Sequence, residues 1–378
     1  MTLSRTDNVI AALGQSNRVS EVFLSYVAGW QLDEVLAPMQ VPFPELTDLR
    51  LFPDDETLSV IPDSFLGGSA PRLRTFTLDR TVFLGLPKLL SSATRLVRLE
   101  LSRIPPYGYI SPETMATCLS ALTSLNYLSL EFSFYRPHPD RETRRTPPVT
   151  RSILPDLDKF WFQGSSEYLD YLVAWIDAPR LLTLIITFFP QMNFDTPHLV
   201  QFISRTPRFQ EPNEVHVNLF LDADVRFLWA SDRRIFLQIC CEHVDAQPLF
   251  VAHLCTMCLP RAPLRTVENL RLGVFVRASH SELERRDDVE NSQWLEFLRP
   301  FTAVKNLYLC EAFQADIAFV LQELIGSRTT EVLPSLQNIF LAEFKPSGPF
   351  QVAVRQFVAA RQLSGHPISI LPLYEGDN

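Results

Sequence analysis

Apolar residues along this chain return in one short figure. In Leu96-x-x-Leu99-x-Leu101 the last two leucines are one residue apart, and a third precedes them by three. Side chains alternate along a strand, so such a pair shares one face. The figure recurs as Leu46-x-x-Leu49-x-Leu51, Leu73-x-x-Phe76-x-Leu78, Leu125-x-x-Leu128-x-Leu130, Leu157-x-x-Phe160-x-Phe162 and Leu181-x-x-Leu184-x-Ile186. It returns as Val267-x-x-Leu270-x-Leu272, Val304-x-x-Leu307-x-Leu309 and Leu336-x-x-Ile339-x-Leu341. Weaker copies are Val19-x-x-Val22-x-Leu24 and Phe236-x-x-Ile239-x-Cys241, and two remnants keep only Val215-x-Val217 and Ile368-x-Ile370. Successive copies lie about 23 to 37 residues apart.

This is the pattern of leucine-rich repeats. A lone strand–helix unit cannot bury its apolar face, so neighbours must stack. The expected fold is an α/β leucine-rich-repeat-like solenoid, with a parallel sheet on the concave face and helices and loops on the convex one. The standard repeat continues with Asn or Cys three residues past the last leucine, where it bonds the following turn. Here that place holds Asp54, Thr81, Ile104 and Ser133. An irregular horseshoe follows.

Between the strands the pattern predicts helices. Asp7 is placed to cap one through Leu13, and Gln31–Met39 carries Leu32, Val35 and Leu36 on one side. Ser111-Pro112-Glu113 is a helix start, with a capping serine and proline at the first helical position. Helices are also expected over 86–92, 168–177, 197–205, 225–230, 248–258, 294–297 and 350–362, with a short final strand at Ile368 and Ile370. The whole of 1–378 reads as a single solenoid. A proline- and arginine-rich loop is inserted at 135–151 and a charged one at 278–293, and 374–378 is a frayed tail.

Composition narrows the function. A net charge of −9 with pI near 5.4 argues against a general nucleic-acid or anionic-membrane binder. No apolar run approaches a membrane span, and the N-terminal stretch has no long apolar centre of the kind a signal peptide carries. Six irregularly spaced cysteines suit reduced thiols, and hence a cytoplasmic or nuclear protein. No G-x-S-x-G, Walker, H-E-x-x-H or G-x-G-x-x-G motif occurs, so neither an enzyme nor a cofactor is expected. Cys241, His243, Cys255 and Cys258 are the best metal candidates, since Cys255-x-x-Cys258 has zinc half-site spacing. Burial as free thiols beside Leu254 and Leu259 is the stronger reading, and a metal site within 241–258 the minor one.

The concave face is where a curved solenoid binds. Residues flanking the inward leucines line it: Arg50, Phe52, Arg98, Tyr127, Lys159 and Trp161 in the first half, and Arg271, Tyr308 and Phe340 in the second. Aromatic residues and arginine dominate binding hot spots, so a protein partner is expected there.

Several stretches carry a family resemblance: Asp7–Leu13, Val19–Leu51, Pro71–Asp79, Ser124–Phe132, Thr266–Leu272 and Trp294–Leu309. They resemble the repeat region of fungal F-box/leucine-rich-repeat-like proteins of mushroom-forming species. The resemblance implies a substrate-recognition array of an SCF-type ubiquitin ligase, joined to a Skp-type adaptor through an N-terminal F-box. An F-box opens with an L-P-x-E-[LI]-like signature, and no segment here has it. Adaptor binding is thus expected only if an F-box is missing from this chain. The alternative is a truncated or degenerate paralogue without a selected partner.

Overall fold

The computed structural model describes residues 3–54, 59–133, 150–190, 194–219, 222–229, 233–240, 247–260, 264–273, 291–310, 314–325, 330–341 and 349–373. The loops expected at 135–151 and 278–293 and the tail at 374–378 lie wholly or largely outside these residues. Asn291–Gln293 instead open the helix Asn291–Leu298. Contacts divide the chain into two compact units. The first comprises 1–185 with 205–208, and the second 186–204 with 209–378.

The strands are β1 (Glu21–Val27), β2 (Asp48–Pro53), β3 (Ser59–Val60), β4 (Thr75–Asp79), β5 (Thr81–Val82), β6 (Arg98–Ile104), β7 (Tyr127–Phe132), β8 (Ser152–Ile153), β9 (Lys159–Gly164), β10 (Ile176–Asp177) and β11 (Thr183–Phe188). They continue as β12 (Glu214–Leu219), β13 (Asp222–Leu228), β14 (Arg234–Cys240), β15 (Asn269–Gly273), β16 (Asn306–Leu309), β17 (Asn338–Leu341) and β18 (Ser369–Pro372).

In the first unit β1, β2, β4, β6, β7 and β9 pair in that order, all parallel. The register aligns the expected inward residues across the strands. Leu49, Phe76, Leu99, Leu128 and Phe160 form one buried row, and Leu51, Leu78, Leu101, Leu130 and Phe162 the next. The leading leucines Leu46, Leu73, Leu96, Leu125 and Leu157 are buried in the turns that enter each strand. Short helices back these rows. Ser111 Oγ accepts from Thr114 N at the start of Pro112–Ser120, as its sequence predicts. Ser165 does the same for Ser166–Ala174, which ends earlier than expected because Ile176–Asp177 pairs with β8. The first helix, Leu3–Leu13, begins ahead of Asp7, which is therefore not its cap.

In place of the missing Asn or Cys, three strand ends turn through a left-handed residue: Tyr26, Arg80 and Arg103, with φ of 54°, 48° and 49°. Register shifts accompany the first and the last of these. The turn is made by backbone geometry that ordinarily favours glycine.

The second unit departs from the repeat. β12, β13 and β14 form an antiparallel meander, and the parallel ladder resumes from β12 through β15, β16, β17 and β18. Two expectations fail here. Residues 225–230, expected as a helix, fall largely within strand β13, whose alternating burial hides Ala223, Val225 and Phe227. β14 buries Ile235, Leu237 and Ile239, so Phe236 stands on the open face and not in the core position assigned to it. Val, Phe and Ile favour strands, and strict alternation over the seven residues of β13 outweighs a helical spacing read from a short window. Core residues of the three regular repeats, from Val267 to Leu341, are buried as expected.

Candidate interaction surface

Each strand exposes its alternate residues on the face opposite the core, and parallel pairing arranges them in rows. In the first unit one row runs Glu21, Asp48, Thr75, Arg98, Tyr127, Lys159, and the next Phe23, Arg50, Thr77, Glu100, Ser129, Trp161. Phe23 is 64% exposed and its ring lies 5.8 Å from that of Phe52. At the far end Trp161 is 39% exposed beside the fully buried Ser129. Thr77 is also buried, so the middle of this row is a floor between two aromatic ends.

The cations expected on this face are mostly paired along their own strands. Arg50 Nε donates to Asp48 Oδ1 at 2.8 Å, and Arg98 Nη2 to Glu100 Oε2 at 2.7 Å. The Arg98 guanidinium lies 3.7 Å from the centre of the Tyr127 ring. Burial pushes the Tyr127 phenol up, and the Glu100 carboxylate beside it adds to the rise. Burial likewise raises Glu131, which accepts from Ser129 Oγ at 3.0 Å and faces the charges of Glu100 and Asp79. Asp79, itself buried, accepts from Arg103 Nε at 2.7 Å. Lys159 is exposed and, among the described residues, in no ion pair.

The second unit carries a longer ribbon. One row holds Phe236, Arg226, His216, Arg271, Tyr308, Phe340 and Leu371 on successive strands. Arg226 lies over Phe236 at 5.0 Å and Arg271 over Tyr308 at 4.2 Å. Tyr308 and Phe340 stack with centroids 4.4 Å apart and planes 10° from parallel. Strand spacing of about 4.8 Å sets rings in one row face to face, so their edges point outward. Arg271 also pairs with Glu214, which His216 Nε2 approaches at 2.9 Å. Burial opposes the Glu214 charge, but these two partners outweigh it and hold the carboxyl below its usual range.

Beside the ribbon runs a ladder of side-chain amides. Asn306 Nδ2 donates to Asn269 Oδ1 and Asn338 Nδ2 to Asn306 Oδ1, both at 2.8 Å. Asn269 Nδ2 donates to the Asn213 carbonyl at 3.3 Å. An asparagine ladder thus exists, at the start of the strand instead of after it. The matching positions of ENLRL, KNLYL and QNIFL are its sequence signal.

Two acids, Asp222 and Asp224, lie on the same part of the sheet. Both are strand residues of β13. Asp222 accepts from Gln238, and Asp224 from Asn218 and Arg226. Burial raises Asp224, against the pull of Arg226 and Asn218.

The metal candidates do not come together in what is described. Cys241 and His243 lie outside the described residues. Cys255 and Cys258 are fully buried, and burial raises the Cys255 thiol. Thr196 Oγ1 lies 3.5 Å from Cys258 Sγ. Among the described residues no group of three or more His, Cys, Asp or Glu is placed to hold a metal ion. None of the described helices is long and apolar enough to cross a membrane.

These features define a class: an irregular α/β array of the leucine-rich-repeat type whose strands present side chains in rows on the open face of each unit. No protein-family model matches the chain, and no curated protein matches it. Among solved structures it is similar to the leucine-rich repeat-containing protein LegL7 from Legionella pneumophila. The two share 13% identity over 93% of this chain and 94% of that one, with a TM-score of 0.30.

Proposed function

We propose that this chain is a non-enzymatic protein-interaction scaffold that recognises a partner through the open face of its sheet. The observation that carries the reading is the concentration of aromatic residues there, two of them backed by arginine: the Arg271–Tyr308–Phe340 stack in one unit, and in the other Tyr127 under Arg98 together with the exposed Trp161. Such groups offer large contact area at little cost in conformational entropy. The ion pairs already present are partly exposed, so a partner can exchange them for its own at small cost. Arg50, Phe52, Arg98, Lys159 and Phe340 complete the proposed contact surface.

The finer reading, substrate recognition within an SCF-type ubiquitin ligase, rests on the sequence resemblance alone. The competing reading is a repeat array with no selected partner. Affinity capture with quantitative protein identification separates these, using the chain and its Trp161→Ala/Tyr308→Ala variant. Loss of one specific protein in the variant supports the scaffold. Co-recovery of a Skp-type adaptor and cullin supports the ligase reading. Recovery of chaperones alone, equal for both chains, overturns the scaffold.

A further inference from the structure

The first unit ends in an open strand edge. β1 is the outermost strand of its ladder, and β2 is its partner among the described strands. In a parallel ladder successive residues turn their N–H and C=O groups alternately to one side and to the other. Ser20 O accepts from Asp48 N, so Val22 and Leu24 also turn toward β2. Glu21, Phe23 and Ser25 therefore turn their main-chain groups outward, and among the described residues nothing bonds them.

The helix Leu3–Leu13 packs against Gly29–Leu36 and Ala37–Gln40, in the helix layer. The strand layer beside it stays open. Phe23 is 64% exposed, and Val22 and Leu24 keep 6% and 7% where Leu49 and Leu51, one strand further in, keep 0%. Natural sheets blunt such edges with proline, lysine or a cover. In the second unit the last strand, β18, does so. Ser369 N and Leu373 N bond to β17, so Pro372 turns outward, where it offers no donor. Glu21–Ser25 holds neither proline nor lysine.

We propose that two copies of this chain join through their β1 edges, antiparallel about a two-fold axis at Phe23. The strand is its own complement in that register. Phe23 meets Phe23 of the second copy, and each Glu21 stands opposite a Ser25 whose hydroxyl can donate to the carboxylate. On the core side Val22 stands opposite Leu24. The outward-turned pairs each exchange both their main-chain bonds. Aromatic and polar cross-strand pairs of this kind stabilise a sheet, whereas like charges directly opposite destabilise it. An axis at Glu21 would set two carboxylates against each other, and one at Val22 would set Glu21 against the Phe23 ring. An axis at Leu24 or Ser25 would draw in Tyr26, whose φ of 54° lies outside the extended range. Charge, ring pairing and backbone thus favour Phe23, and an interface of this symmetry closes as a dimer.

The test is sedimentation equilibrium of the full chain over a concentration series, with residue-resolved amide hydrogen exchange. The mass should rise from one chain toward two, and exchange at Glu21, Phe23 and Ser25 should slow with it. Phe23→Pro removes an outward N–H that the fold does not use. That variant should keep its urea midpoint and self-associate about tenfold more weakly or worse. If it fails to fold, Phe23→Lys serves, because it keeps the strand and sets two cations on the axis. A single chain at every concentration would leave the edge to another protein's strand, and masses beyond the dimer would mean head-to-tail addition. Either result would overturn the proposal. So would undiminished association in these variants, or a dimer in which the three amides stay unprotected.

Discussion

Asn306 is the middle rung of the amide ladder, so its replacement breaks two side-chain bonds at once. It donates to Asn269 Oδ1 and accepts from Asn338 Nδ2, each at 2.8 Å. A hydrogen bond is worth about 0.5–1.5 kcal/mol net. All three asparagines are half-buried, so water replaces part of what is lost. Asn306→Ala should therefore cost about 1–2 kcal/mol. Asn306→Asp is the sharper test, because it keeps the shape and the acceptor but removes the donor. Near neutral pH it places a carboxylate oxygen against Asn269 Oδ1, and stability should fall by a similar amount. Repulsion from that amide oxygen raises the new carboxyl in the folded state, and a protonated carboxyl can donate again. The loss should thus shrink as pH falls through the carboxylate range, at about pH 4. The assay is equilibrium urea unfolding of the chain and both variants at pH 7 and at about pH 4. An unchanged midpoint for Asn306→Ala, or an aspartate penalty that does not shrink in acid, would refute the ladder as a source of stability.

Other predictions concern single residues. Replacing Trp161 by alanine should weaken partner binding by about 2 kcal/mol, roughly 30-fold, without shifting the unfolding midpoint by more than about 0.5 kcal/mol, as read by titration calorimetry and urea melts. Tyr26→Gly should stabilise by about 0.5–1 kcal/mol, since φ is 54° and the ring is exposed. A lowered midpoint would contradict this. Arg361 is fully buried, and its Nη2 donates to the carbonyls of Leu333, Pro334 and Leu336 at 3.2–3.3 Å. Arg361→Met should cost about 3 kcal/mol through those stranded carbonyls, and a cost under about 1 kcal/mol would sink the assignment. Glu214 has its pKa lowered on folding, so its contribution is present above the unfolded-state value and lost as pH falls through the folded one. The stability gap between the chain and Glu214→Gln should accordingly narrow in acid, which melts across a pH series will measure.

The repeat frame was legible because it depends on side chains alone. An apolar residue three before an apolar pair demands one turn and one strand face, and every such residue from Leu46 to Phe162 is buried where the spacing placed it. The meander was not legible for a physical reason. Residues 225–230 alone fit a helical spacing as well as an alternating one, and even as a strand the alternation of Val225 and Phe227 carries no information on direction. Ile239 is buried as its copy of the figure placed it, but the strand runs back through Ile235, so Phe236, three residues earlier, falls on the opposite face. On the open face, the sequence identified which residues line the rows. It could not show that Arg50, Arg98 and Arg271 already hold acids, because those pairs depend on rotamers and on cross-strand register. The amide ladder sits at the first residue of each strand, a position for which the repeat pattern prescribes no asparagine.

The antiparallel excursion bears on how the second unit comes together in time. Within it Leu219 pairs with Ala223, and the β13–β14 hairpin closes on Leu228 and Arg234. Each later parallel pair must bring together residues such as Asn269 and Asn306, with a whole repeat between them. Closing short loops costs little chain entropy, and folding rate follows the mean separation of contacts. A regular array can begin anywhere along its length. This one has a favoured seed at 214–240, and order should spread from there toward β18. Pulse-labelled hydrogen exchange during refolding should find the amides of Val215–Leu219 protected before those of Asn338–Leu341. A protein that grows from one point has one early vulnerable stage. A proline placed in the β13 hairpin should slow assembly of the unit far more than the same change in β18.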